Sequence, residues 1–284
     1  MVSRIVLIIV AATVLGGCGS TTGGSGGKRT VVAAFYPLAY AAERIGGPGF
    51  DVVNLTPPGA EPHDLELTPQ EVARVESAEV VLYLSHGFQP AVSKAVAQAR
   101  GRRIDVLAGL PLRRSDEQGL SADPHVWLDP PLFARIIRRI GATLHRPVAG
   151  LVADLGQVDR EYRAGLRNCA RREIVTSHAA FGYLGKRYGL TQVAITGLTP
   201  ESEPSPRQLA HVVDVVRRTH ATTVFFETLV SSRLADTVAR EVGAKTAVLD
   251  PIEGLTPTEQ KRGDNYLTLM RRNLAALRQA LGCR

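Results

Sequence analysis

Four side chains stand out by type and setting. They are His63 in Glu61-Pro62-His63-Asp64-Leu65-Glu66-Leu67, His125 in Asp123-Pro124-His125-Val126-Trp127-Leu128-Asp129-Pro130, His178 in Val175-Thr176-Ser177-His178, and Asp250 in Val248-Leu249-Asp250-Pro251. Three imidazole nitrogens and one carboxylate oxygen form a closed tetrahedral donor set suited to Zn2+. The four lie dozens of residues apart, too far for a local metal-binding loop, so folding would have to assemble them. Taken singly, each histidine is equally well read as a polar loop residue, and spacing alone does not choose.

The elements that would position them alternate. Strand-like runs at 30–35, 51–55, 80–84 and 103–107 are interleaved with helical runs at 37–45, from Thr68 onward, and at 90–100. Thr68-Pro69-Gln70-Glu71 reads as a capping box with proline at the first helical position. Helical periodicity then fills 131–144 and 148–166, interrupted at Pro147. Strand signals return at 173–176, 192–196, 223–226 and 246–249, with helices at 179–188, 206–218, 232–242 and 264–281. Such alternation predicts parallel sheets flanked by helices. The expected organisation is an N-terminal α/β lobe over 30–128, a helical connector over 129–168 and a C-terminal α/β lobe over 169–284. Three of the four candidate ligands fall where a strand ends or a helix begins. Open α/β sheets bind ligands in that crevice.

The first residues indicate export. Arg4 precedes an apolar run from Ile5 to Leu15, about half the roughly 20 residues a spanning helix needs. It ends in Leu15-Gly16-Gly17-Cys18, which resembles a bacterial lipobox. Residues 1–17 are therefore expected to be a signal peptide. Cys18 would be the lipidation site, and the Gly/Ser/Thr-rich stretch through residue 29 a flexible tether. Gly23-Gly24-Ser25-Gly26-Gly27 matches a nucleophile-elbow pattern but lacks the strand before it and the helix after it. The 284 residues are 44% hydrophobic and 21% charged, enough apolar material for a packed core. The formal charge of +7 comes largely from scattered arginines without aromatic interleaving, so a nucleic-acid partner is not expected. Cys169 and Cys283 could pair in an oxidising compartment; the sequence neither requires nor forbids it.

Residues from about 30 to 281 resemble the solute-binding proteins of bacterial zinc and manganese ABC importers, the ZnuA/TroA-like cluster A-I family. The likeness rests on Glu61–Pro69 and Asp123–Pro130, on Ser177-His178-Ala179-Ala180-Phe181-Gly182-Tyr183-Leu184 and Glu201-Ser202-Glu203-Pro204-Ser205, and on Asn265-Tyr266-Leu267-Thr268-Leu269-Met270. The resemblance implies two Rossmann-like lobes joined by a long helical connector, with the metal between them. It also implies His63, His125, His178 and Asp250 as ligands of Zn2+, with Mn2+ the alternative cargo. Glu227 would orient a ligating imidazole, and His86, at a strand end, is a further candidate for lining the cleft. Many zinc-specific members carry a histidine-rich loop before the second ligand; residues 113–122 contain no histidine.

The implied role is capture of zinc outside the cytoplasm by a lipid-anchored, non-enzymatic monomer. Zinc would be handed to an ABC permease with a cytoplasmic ATPase, since the chain has no phosphate-binding GxxxxGK[ST] loop of its own. An Mn2+- or Fe2+-selective binding protein, or a metal-dependent surface adhesin of the same fold, is the alternative. An exported zinc hydrolase is the remote one, because four protein ligands leave no open position for a catalytic water.

Overall fold

Residues 28–200 and 204–284 are described by a computed structural model. The leader, Cys18, the tether up to residue 27 and Glu201-Ser202-Glu203 lie outside the described residues. No helix among the described residues is long and apolar enough to cross a membrane.

The first half of the chain runs β1 (Arg29–Ala33), α1 (Tyr36–Gly46), β2 (Phe50–Asn54), α2 (Pro69–Ser77), β3 (Val80–Tyr83), α3 (Pro90–Ala97) and β4 (Arg102–Asp105). These strands form one parallel sheet in the order β2-β1-β3-β4. After α4 (Pro130–Leu144) and α5 (Ala149–Gly165), the pattern repeats. It continues β5 (Glu173–Thr176), α6 (Gly182–Tyr188), β6 (Thr191–Ala194), α7 (Pro206–Thr219), β7 (Thr223–Phe226), α8 (Arg233–Val242) and β8 (Lys245–Val248). The second sheet has the order β6-β5-β7-β8, again parallel throughout. Two helices close the chain, the short α9 (Pro257–Arg262) and the long α10 (Tyr266–Leu281). Both sheets therefore reverse their winding direction beside their first strand, between β1 and β3 and between β5 and β7.

Local chemistry explains the boundaries. The Thr68 hydroxyl accepts from Glu71 N–H while the Glu71 carboxylate accepts from Thr68 N–H, starting α2. Thr256-Pro257-Thr258-Glu259 repeats this box at α9, an element the strand-and-helix reading of the sequence passes over. Asp129 caps α4 through Leu132 N–H, with prolines at the next two positions. The connector is not one rod. His145 takes a left-handed conformation, φ 55°, and ends α4; after Pro147 the chain restarts as α5, which packs against α4. α4 also lies against α1, and α5 against α10, so the pair joins the lobes by being packed to both.

Burial follows the period-two alternation of the strands. Ile174 of β5 and Phe225 of β7 face the main core, which is continuous with the first sheet and with α4, α5 and α10. Their neighbours Val175 and Val224 face the other way, into a small cluster under α7 and α8 with Val212, Val216 and Val238. Each large side chain buried in this way stabilises by about 1.5–3 kcal/mol. Cys169 and Cys283 are joined by a disulfide that ties the segment before β5 to the end of α10.

Candidate metal centre

His63 sits in the loop between β2 and α2, and His125 leads into a short 3-10 turn, Val126–Leu128, before α4. His178 follows β5, and a fourth residue, Glu253, follows β8. All four are buried, and one ligand atom from each lies within 4.8 Å of every other. Glu253 Oε1 is 3.0 Å from His125 Nε2, 3.3 Å from His63 Nε2 and 3.7 Å from His178 Nε2. The Nε2 atoms of His178 and His125 are 3.4 Å apart. A tetrahedron of zinc bonds about 2.0–2.1 Å long has edges of about 3.3 Å. The four donors thus stand at separations a zinc ion would bridge, and Glu253 Oε2 has no hydrogen-bond partner.

The other ring nitrogens are held from behind. His125 Nδ1 lies 2.8 Å from Asp123 Oδ1, which also accepts the His125 backbone N–H at 3.0 Å. His178 Nδ1 lies 2.8 Å from Glu227 Oε1, which also accepts from the Ser177 hydroxyl at 2.6 Å. Glu227 follows β7 and His178 follows β5, so this contact spans the point where the second sheet reverses its winding. Carboxylates in this position select the tautomer that leaves Nε2 free for a metal. The His63 ring stands edge-on to Phe88, its centroid 4.7 Å away, and its backbone N–H is accepted by Glu61.

Electrostatics couple the group. Burial alone would lower the His178 and His125 imidazoles, but the carboxylates of Glu227, Asp123 and Glu253 outweigh it and raise both, His178 well above its ordinary value. At His63 burial wins over Glu253, and that imidazole is lowered. Burial would likewise raise Glu253, yet three imidazoles facing it hold its carboxyl well below the usual range. A negative carboxylate at the focus of three rings is what a cation-binding pocket requires.

Asp250 is the correction. The chain does place it directly after β8, but its carboxylate turns back on its own backbone and accepts Ile252 N–H at 2.7 Å. Asn273 clamps the same residue, donating to its carbonyl at 2.6 Å and accepting its N–H at 2.9 Å, and Thr228 reaches its other oxygen at 3.4 Å. Burial pushes the Asp250 carboxyl up to about 7. The turn it braces carries Ile252 at φ 60°, a conformation β-branched residues rarely adopt, and delivers Glu253 to the cluster instead. Trp127 donates to Pro251 O at 2.7 Å and so fixes the same loop from the other lobe. His86 also stays outside the cluster: it is exposed, with Nδ1 2.7 Å from the Ser121 hydroxyl. Asp123 and Glu253 are what the sequence reading missed. The Asp-x-His spacing was a signal for Asp123, since an aspartate two residues before an imidazole can accept from both its ring and its N–H.

Comparison with known proteins is consistent across the chain. A family model described as the periplasmic zinc-uptake complex component A, ZnuA, matches residues 31–280. The high-affinity zinc uptake system protein ZnuA of Bacillus subtilis is 34% identical over 280 residues, covering 89% of this chain and 88% of that protein. The zinc-binding lipoprotein AdcA of Streptococcus pneumoniae is 31% identical over 278 residues; the match covers 89% of this chain but only 56% of that longer protein. Among solved structures, the Zn(II)-bound ZnuA-like domain of Streptococcus pneumoniae AdcA superposes with a TM-score of 0.76 at 33% identity, over 90% of this chain and 99% of that one. The laminin-binding protein Lmb of Streptococcus agalactiae, described as bifunctional with adhesin and metal-transporting activity, gives a TM-score of 0.81 at 30% identity, covering 90% and 100%.

Proposed function

The chain belongs to the ZnuA family of zinc-uptake components, and from that premise we propose that it captures Zn2+ outside the cytoplasm through His63, His125, His178 and Glu253. The observation that carries this reading is the convergence of three Nε2 atoms on one carboxylate at the edge lengths of a zinc tetrahedron. Zinc is cargo here. The buried rings bind it as neutral ligands, so capture is coupled to proton release and tightens as pH rises. Asp123 and Glu227 keep those rings aimed. Three imidazoles favour Zn2+ over Mn2+, which prefers oxygen donors and six-fold coordination.

Lipidation at Cys18 would keep the protein at the membrane surface, and a permease with its ATPase would receive the ion when the lobes part. Each lobe gives two ligands, so a small tilt of one lobe on the α4–α5 connector removes half the coordination sphere. The test is metal analysis and competition binding on the chain begun at Gly19. One zinc per chain is expected, with affinity weakened more than about 100-fold by His178→Ala, beyond the 10–100-fold cost of losing an outer partner. Unchanged tight 1:1 binding in that variant would defeat the reading.

A further inference from the structure

The loop before the second ligand, residues 113–122, holds no histidine and is nevertheless bound across the cleft at two places. The Tyr183 hydroxyl, at the start of α6 in the second lobe, accepts from Arg113 N–H at 2.9 Å and donates to Asp123 O at 3.0 Å. Asp123 N–H donates to Arg113 O at 3.0 Å, and Arg114 bridges to Ala122, so one hydroxyl grips both feet of the loop. Farther along, the Glu117 carboxylate accepts the backbone N–H groups of Leu198 and Thr199, the latter at 3.1 Å.

At both places the loop comes close to a glycine of the second lobe. A Cβ at Gly182 would stand 2.9 Å from Arg113 Nε and 3.1 Å from Asp123 Oδ2; one at Gly197 would stand 2.3 Å from Glu117 Oε2. The surfaces meet closely at two separate points. The grip leads straight to the metal centre, because Asp123 is the residue that orients His125.

We propose that residues 113–122 form a clasp that sets the rate of zinc release, with Tyr183 as a positioning residue for His125 and Glu117 as the latch at the loop's tip. This rests on reading the His63–His125–His178–Glu253 cluster as the zinc site. Parting the lobes pulls Tyr183 and residues 198–199 away from the loop. The hydrogen bonds of the clasp break in the same movement that frees Asp123 and loosens His125. Whatever peels the loop back thereby discharges the ion.

The test is release of zinc from the loaded protein into an excess of a chromophoric chelator, followed in a stopped-flow instrument. Tyr183→Phe should release zinc about tenfold faster and Glu117→Ala about threefold faster, the range expected for loss of one or two supporting hydrogen bonds. In an Asp123→Asn background, Tyr183→Phe should add less than about twofold, because both act through His125; a merely structural tyrosine would give additive effects. Rates within twofold of the parent for both single variants, or additivity in the double variant, overturn the proposal. If Tyr183→Phe does not fold, Glu117→Ala decides alone: faster release supports the clasp and an unchanged rate refutes it. A parent protein that binds no zinc would instead refute the assignment of the metal centre.

Discussion

The two lobes contribute equally to the metal centre and unequally to the core. Each supplies two of the four converging residues. The buried residues of the first sheet, however, all lie in the main core, whereas the second sheet is split, one face in that core and the other over the small cluster beneath α7 and α8. The residues that aim the ligands lie on the inner side of this split: Phe225 precedes Glu227 in sequence, and Leu249 and Ile252 bracket the turn that carries Glu253. The lesson is that the side chains positioning the site rest on the inner face of the second sheet. The outer helices complete the fold without touching the site.

That contrast can be broken first at the disulfide. Cys169–Cys283 closes a loop with a sequence separation of 114, fastening the second lobe's first strand to a helix of the main core. Replacing both cysteines by alanine should lower unfolding stability by about 5 kcal/mol in the chain-entropy account. Zinc affinity should change little, because the bond lies at the opposite end of β5 from His178. Denaturant unfolding and competition binding on the same variant check both halves. A large affinity loss would mean that the metal centre is not insulated from that end of the lobe.

The second break separates two carboxylates in one loop. Glu253→Gln should weaken zinc binding by more than about 100-fold, since it removes a ligand and leaves three imidazoles without their counter-charge. Asp250→Asn should cost no more than about tenfold, because its amide oxygen can still accept from Ile252 N–H and no ligand is lost. Competition titrations rank them; the reverse order would restore Asp250 as the ligand.

The smallest effect is the pH dependence. The raised His125 and His178 stabilise the zinc-free protein below their ordinary 6.5, and that contribution fades as pH rises through their folded values. The depressed Glu253 contributes above 4.5 and is lost as pH falls through its folded value. Zinc-free stability should therefore peak on the mildly acidic side. The extra stability conferred by zinc should grow between about pH 5 and about pH 8 as fewer protons must be displaced. Thermal unfolding with and without zinc measures this, and a zinc-induced gain that shrinks with rising pH would contradict it.

How much of this was legible in the sequence differs by element. The alternation of strands and helices was, because apolar runs and capping boxes are local signals; Thr68–Glu71 starts α2 as its residues require. The same signal at Thr256–Glu259 was present but lay in a stretch with little apolar periodicity. His125 and His178 were legible because each stands at a strand end or beside a helix start; His63, in mid-loop between β2 and α2, was singled out by its setting in Glu61–Leu67. Glu253 was not, since its approach depends on a turn with Ile252 at φ 60° that no local preference for isoleucine predicts. Asn273 and Trp127, distant in sequence, help to hold that turn. The packing of α4 on α5 was equally hidden: Pro147 marks a break, but the direction of the next helix is set by the core.

The most direct test is a crystal structure of the zinc-loaded protein with anomalous scattering measured at the zinc edge. A single peak is expected among His63, His125 and His178 Nε2 and the Glu253 carboxylate, with Asp250 still bonded to Ile252 N–H. A zinc peak elsewhere, or one coordinated by Asp250 with Glu253 turned away, would contradict the centre described here.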